Sequence, residues 1–497
     1  MRITFFVFAI LATAPFSLAQ ESAYWSGIDH TFAKTAFGNV AAIAAHNCYV
    51  DNSANQQDSL ARTLKRIHAA QTSGADLIEL DVCQIGNDIL VSHDDQEDRK
   101  TKSAKLVDVL ADPKLRSGSQ ILFVEIKETR PSKSFANALL QIVSESLVAN
   151  PRRPIVFRAF EDRRQNLVLI REALAKPDFA HLANSVRFHE LIQNKSKQSV
   201  RQVQSRIVRS FQSGFQGVEF RYDSPNLFAK IGYAKSLGLS VTTYTIPHQF
   251  GEVFVAGLRE EVDAIVVDYS ISKSRKIVTE KTGLIHLNTR EIADGATSTL
   301  FSSNNVKYRE LDLATDNAPE IQNHSIGDSF FGSALKFDGQ HSLTFYDADN
   351  QNNAGYMIST CVKFDRIKLT DNETQSIFAK SDNGGFFLEL HNPSGPAASI
   401  LRFGVRVGSR YHTASYPVEK LNPNDSFFII AAYDGDGGVR MWINGSDQGV
   451  TVQQTRGGVV KNNSPVVMGA DPQGRVNRRS FFKGTIQQVQ LQNWQEH

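Results

Sequence analysis

Cysteine, net charge and long apolar runs are all scarce in this sequence. Three cysteines among 497 residues exclude a disulfide-built scaffold, which needs several bridges in a short chain. With 54 basic and 52 acidic residues the formal charge is only +2. That balance gives no reason to expect nucleic acid or an anionic membrane as the main partner. The only conspicuous apolar run is at the start, where Met1-Arg2 leads into Ile3–Ala14, then Pro15 and Ser-Leu-Ala-Gln. A charged start, a short apolar stretch and small residues before Gln20 read as a secretory signal cleaved after Ala19. The run is short for a membrane span of about 20 residues, and no later stretch is apolar enough to cross. A secreted or periplasmic protein without a transmembrane segment is expected.

The length is too great for one average core and suggests several domains. From about residue 40 to 270, eight β-branched runs alternate with amphipathic segments. The runs are 40–46, 76–82, 121–127, 154–160, 185–190, 217–223, 240–246 and 263–269. This rhythm predicts an α/β domain, a (β/α)8 TIM barrel over 20–275, with a doubly wound open sheet as the alternative because the fifth run is weak. A polar, basic stretch at 276–283 reads as a linker. Beyond it, from 284 to 497, short alternating runs are separated by Asp-Gly, Asn-Gly and Gly-Gly turns, which predicts an all-β antiparallel β-sandwich of jelly-roll type.

The polar residues of the first domain gather at the ends of its predicted strands, where barrel enzymes place their working groups. His46 and Asn47 end the first, Glu79 and Asp81 the second, Glu125 and Lys127 the third, and His93 follows the second. Residues two apart in a strand share a face, so Glu79, Asp81 and Glu125 should converge. Three such acids repel one another unless a cation or protons intervene. An all-oxygen set, joined by the Asn47 amide, suits a hard divalent cation, Ca²⁺ or Mg²⁺. The alternative is a metal-free salt-bridge network with Lys127 and Arg158. Two histidines beside such a cluster can serve as general base and general acid near neutral pH. Cys48 and Cys83, each two residues from a site residue, are a candidate disulfide, whereas Cys361 reads as a small buried hydrophobe.

The blocks "IAAHN", "ADLIELDVCQIGNDILVSHDD", "LFVEIK", "VTTYTI" and "VDAIVVDYS", in this order, resemble the signatures of the glycerophosphodiester phosphodiesterase family, within the phosphatidylinositol-phospholipase-C-like barrels. The resemblance covers roughly residues 38–275. It implies His46 and His93 as the catalytic acid–base pair, Glu79, Asp81 and Glu125 as metal ligands, and Lys127 as a phosphate-binding residue; Arg158 is a further candidate to bind the substrate's phosphate. The candidate substrates are glycerophosphodiesters, lysophospholipids or phospholipids, and phosphodiester-linked cell-wall polymers. Two departures stand out. The family has His-Arg where this chain has His46-Asn47, an arrangement similar to phosphoinositide phospholipases whose Asn binds calcium, and Tyr244 replaces a usual Trp. Formation of a cyclic phosphate, as in related phospholipases C and D, and a non-catalytic binding role on a degenerate barrel are the competing readings.

The second domain is similar to laminin-G-like and concanavalin-A-like modules, which implies a carbohydrate or cell-surface ligand. Asp338, Asp434 and Asn444 are either ligands or turn residues, and Arg402, Arg406 and Arg410 form a basic stripe that is either an anion site or a solvated face.

Overall fold

The computed structural model describes residues 41–50, 53–93, 102–147, 154–193, 200–259, 261–279, 283–288, 320–323, 333–345, 355–394, 399–423, 425–473 and 477–494. The expected signal segment lies outside these residues. Each of the eight β-branched runs contains a strand: β1 (Ala42–Ala45), β2 (Leu77–Ile85), β4 (Ile121–Ile126), β5 (Ile155–Phe160), β6 (Val186–Ile192), β7 (Gly217–Arg221), β8 (Ser240–Ile246) and β9 (Ala264–Val267). A short β3 (Asp88–Val91) returns antiparallel on β2. All eight pair in parallel with their neighbours, and β1 pairs with both β2 and β9. The sheet is therefore a closed barrel, and the open-sheet alternative is ruled out.

Amphipathic segments pack outside the strands as α1 (Gln56–Thr72), α2 (Leu106–Leu110), α3 (Pro113–Ser117), α4 (Lys133–Leu147), α5 (Arg164–Leu174), α6 (Val200–Gln212), α7 (Leu227–Ser236), α8 (Gly251–Leu258) and α9 (Ile271–Thr279). Helix α1 begins where the Asn55 side chain accepts a hydrogen bond from the Asp58 amide at 2.9 Å, a capping bond that satisfies a backbone donor. Part of the expected linker lies in helix α9. Residues 276–279 continue the helix, and β10 (Gly283–Asn288) already belongs to the sandwich.

The inner face of the barrel changes character along its axis. Ala42, Ala44, Leu77, Ile121, Phe123, Val156, Ala264 and Val266 fill the lower layers, while Glu79, Asp81, Glu125, Arg158 and Glu219 stand above them. Alternation along each strand brings these residues inward while the partners at odd spacing face the helices.

The sandwich contains β11 (Glu320–Asn323), β12 (Ser333–Asp338), β13 (Leu343–Phe345), β14 (Tyr356–Phe364), β15 (Thr374–Ala379), β16 (Phe386–His391), β17 (Ile400–Val407), β18 (Arg410–Pro417), β19 (Phe427–Tyr433), β20 (Arg440–Ile443), β21 (Thr451–Val452), β22 (Val466–Met468), β23 (Asp471–Gln473), β24 (Asn477–Arg479) and β25 (Lys483–Asn493). One sheet runs β11-β12-β25-β14-β19-β20 with β10 on β25. The other runs β13-β22-β15-β16-β17-β18-β21. Phe337, Ile358, Phe378, Leu388, Phe403 and Ile429 are among the side chains between them.

Because β14 and β19 are buried on both faces, the first sheet also packs on its outside. That face lies against the barrel. Met357, Cys361, Phe428, Ile430 and Trp442 share one core with Phe228, Phe254 and Leu258 of α7 and α8, and the Phe228 and Phe428 rings lie 4.2 Å apart. Gly257 admits this approach, since a Cβ there would fall 2.9 Å from Ile430. The two domains are thus packed face to face.

Candidate active site at the barrel mouth

Glu79 and Asp81 follow one another on the inner face of β2, and Asp81 is in register with Glu125 of β4. All three are buried, and one carboxylate oxygen from each lies within 4.8 Å of the others. The expected convergence is present. So is the salt-bridge network. Lys127 Nζ contacts Glu125 Oε1 and lies 3.2 Å from Asp81 Oδ2. Arg158 Nη1 contacts Glu79 Oε1, and its Nη2 lies 2.9 Å from Glu219 and 3.6 Å from Glu125.

The network does not close the electrostatic balance. Four buried carboxylates face two permanent cations, and Asp81 Oδ1 is buried with no hydrogen-bond partner among the described residues. Burial pushes the Asp81 pKa well above the ordinary carboxylate range, helped by the Glu125 charge and opposed by Lys127. Glu125 goes the other way. Burial pushes it up, but Arg158 and Lys127 outweigh this and hold it below its usual value. Lys127 is held above its usual value, because Asp81 and Glu125 outweigh the opposing effect of burial. An oxygen-lined pocket with excess negative charge and an unsatisfied carboxylate oxygen fits a hard divalent cation.

Arg158 does not occupy the phosphate-binding position expected for it. Its side chain is 1% exposed, and both Nη atoms contact acids inside the barrel. Behind it, Glu219 Oε1 lies 3.2 Å from His189 Nδ1, and His189 Nε2 lies 3.0 Å from Ser240 Oγ. The pair has room because residue 217 is glycine; a Cβ there would fall 2.3 Å from His189 Nε2. This explains the weak fifth run: His189 is an inward-facing polar residue satisfied across strands.

Asn47 has left-handed backbone geometry, φ +49°, which Asn tolerates better than Arg does. That conformation directs its N–H to Glu79 Oε2 at 2.9 Å. Its amide oxygen faces the Tyr49 hydroxyl at 2.9 Å, and the same hydroxyl lies 2.8 Å from Asp81 Oδ2. Asn47 therefore stands at the edge of the acid cluster, with its oxygen currently held by Tyr49.

His46 sits between two acids. Its Nδ1 is 2.6 Å from Asp268 Oδ1 and its Nε2 is 3.7 Å from Glu79 Oε2. Burial lowers its pKa, but the Asp268 hydrogen bond and the negative charges of Glu79 and Asp268 more than offset this and raise it overall. A hydrogen bond at Nδ1 fixes the tautomer and leaves Nε2 for proton exchange. His93 is exposed at the end of β3, near enough for its charge to help depress Glu125.

The candidate disulfide is absent. Cys48, Cys83 and Cys361 are all buried thiols, and the Cys48 thiol donates to Ala45 O at 3.5 Å. In the sandwich, Asp338 and Asp434 accept backbone N–H bonds from Gln340 and Asp436, which matches a turn role, while Asn444, at φ +49°, accepts from the Phe428 N–H across the strands. Arg402 pairs with Glu389 at 2.5 Å, and Arg406 lies over the Tyr411 ring, so these two members of the stripe are engaged within the domain.

Sequence reasoning passed over Asp268, Tyr49, Glu219 and His189. Asp268 and Glu219 carried a readable signal, since each is an acid in an apolar run at the level where Glu79 and Glu125 were noticed.

No family model and no curated protein matches the chain. Among solved structures it is similar to a glycerophosphodiester phosphodiesterase of Agrobacterium tumefaciens, at 14% identity over 48% of this chain and 99% of that one, TM-score 0.32. It is also similar to one of Thermotoga maritima, at 19% identity over 43% and 90%, TM-score 0.31. Domains LG4-5 of the mouse laminin alpha1 chain match at 15% identity over 32% and 40%, TM-score 0.25. At these scores the likenesses carry no weight for activity, and the chemistry rests on the residues.

Proposed function

We propose that this chain is an exported, metal-dependent phosphodiesterase acting on glycerophosphodiesters or related lysophospholipid and phospholipid phosphodiesters. One observation carries the reading: the unsatisfied, buried Asp81 Oδ1 between Glu79 and Glu125, beside a histidine whose Nδ1 is held by Asp268. Glu79, Asp81, Glu125 and Asn47 would hold Ca²⁺ or Mg²⁺, which when bound neutralises charge on phosphate oxygens.

The protein's own groups do the proton work. A hydroxyl, from water or from the substrate, attacks phosphorus and gives its proton to one imidazole. The P–O ester bond on the far side breaks, and the leaving oxygen takes a proton from the other imidazole. His46 exchanges its proton at Nε2, and His93 takes the complementary step. Lys127, held above the Phe160 ring, keeps a positive charge beside the reacting phosphate. A carbohydrate or cell-surface ligand is the expected partner of the sandwich, as such two-sheet modules often bind one.

The test is hydrolysis of glycerophosphocholine and bis-p-nitrophenyl phosphate by residues 20–497, after EDTA and with Ca²⁺ or Mg²⁺ restored. Turnover should need the cation and fall about 10²–10⁴-fold in His46→Ala, with a comparable loss in Asp268→Asn. Phosphorus NMR separates direct hydrolysis from a cyclic phosphate intermediate. Tight cation binding without turnover on these or longer lipids would replace the enzyme reading with a binding role.

A further inference from the structure

Of the two cations expected to meet the substrate's phosphate, Arg158 is sealed among acids and Lys127 shares its charge with Asp81 and Glu125. The strand opposite offers another cation. Arg221 lies two residues beyond inward-facing Glu219 on β7, so it shares the inner face one step nearer the mouth. Its side chain is 56% exposed, and it is in register with Tyr244 of β8, the residue that departs from the family pattern.

We propose that Arg221 binds the substrate's phosphate oxygens at the barrel mouth, and that the β-sandwich holds it in place through Asp223. The inference rests on the phosphodiesterase reading for its substrate. Arg221 Nε lies 2.8 Å from Asp223 Oδ1, an ion pair that holds the guanidinium beside the loop while its Nη edge can meet an anion, the planar fork arginine presents to phosphate.

Asp223 is in turn braced by the other domain. Gly445, in the turn after β20, packs against it so closely that a Cβ would fall 2.4 Å from Asp223 Cβ and 2.6 Å from its Cα. Gly445 also has φ +83°, a conformation that favours glycine. Three residues beyond Asp223, Asn226 Oδ1 accepts hydrogen bonds from the Ser426 N–H at 3.1 Å and Oγ at 2.6 Å. Two turns of the sandwich therefore grip the loop that follows Arg221. The missing arginine after His46 is compensated from across the mouth, and a domain outside the barrel sets its position.

The experiment uses residues 20–497 with Mg²⁺. Isothermal titration with inorganic phosphate is run beside steady-state hydrolysis of glycerophosphocholine for Arg221→Gln, Arg221→Lys, Gly445→Ala and Ser426→Ala. Arg221→Gln should weaken phosphate binding by about tenfold or more and raise KM similarly. Arg221→Lys should recover part of the loss. Gly445→Ala and Ser426→Ala should weaken phosphate binding to a smaller degree, at unfolding midpoints that account separately for any general instability. Unchanged phosphate affinity and KM in Arg221→Gln overturn the proposal while leaving the phosphodiesterase reading intact. Loss in Arg221→Gln with none in Gly445→Ala or Ser426→Ala overturns the role of the sandwich. Wild-type protein that binds phosphate through Arg221 yet hydrolyses nothing supports this site and defeats the enzyme reading.

Discussion

Replacing Arg158 by Met tests the electrostatics of the barrel interior directly. The guanidinium is 1% exposed and touches Glu79, Glu125 and Glu219. Methionine fills much of the same space but removes the charge. Breaking a buried ion pair by deleting one partner costs about 3–5 kcal/mol, since the remaining charge stays buried without compensation. At about 2–4 °C per kcal/mol for a domain of this size, the unfolding midpoint should fall by about 6–20 °C in EDTA. Ca²⁺ or Mg²⁺ should restore part of the loss, because a cation among Glu79, Asp81 and Glu125 supplies charge where the guanidinium no longer does. The deficit should also grow as pH rises from 5 to 8, because the stranded acids escape their charge only by taking up protons. Thermal melts followed by circular dichroism, with and without cation, measure all three effects. A loss below about 1 kcal/mol, or one that cation does not reduce, would refute the picture of an electrostatically unbalanced pocket.

Two further outcomes are expected. Phe428→Ala opens a hole between the domains beside Phe228 and Phe254 and should cost about 3–5 kcal/mol. Differential scanning calorimetry should show both domains shifting together, and an unaltered barrel transition would contradict the shared core. Glu373 is pushed up by burial but pulled down further, to about 2 from its ordinary 4.5, by hydrogen bonds from Gln375 and Thr370 and by Arg366. Its contribution is full above the ordinary value and disappears as pH falls through about 2. After allowance for partial exposure it is worth about 2 kcal/mol, so Glu373→Gln should remove that acid limb from urea midpoints measured across this range.

The barrel was legible because its strands are near-continuous apolar runs, and the acids that interrupt them are costly enough to signal purpose. Glu79, Asp81 and Glu125 stood out for that reason. Arg158 was harder: an arginine in a strand looks the same whether it meets solvent, substrate or buried acid, and only the register with Glu125 and the depth of Glu219 decide. His189 weakened its strand's signal because its partners, Glu219 and Ser240, come from other strands. Strand β18, "RYHTASYP", escaped notice since its inward residues are small or aromatic among polar ones. The packing of the sandwich against α7 and α8 left a trace in β19, "FFIIAAY", where both faces are apolar, although a run of that kind does not name what covers it.

Strand β25 has a consequence for how the molecule is made. Among the described residues it is the last strand in chain order, yet it lies between β12 and β14 and also pairs with β10. During synthesis the preceding strands of that sheet emerge with their central partner still missing, and the apolar flank of α7 and α8 waits for the sheet that will cover it. Refolding in the test tube should pass through a barrel whose flank is sticky until Lys483–Asn493 slides into place.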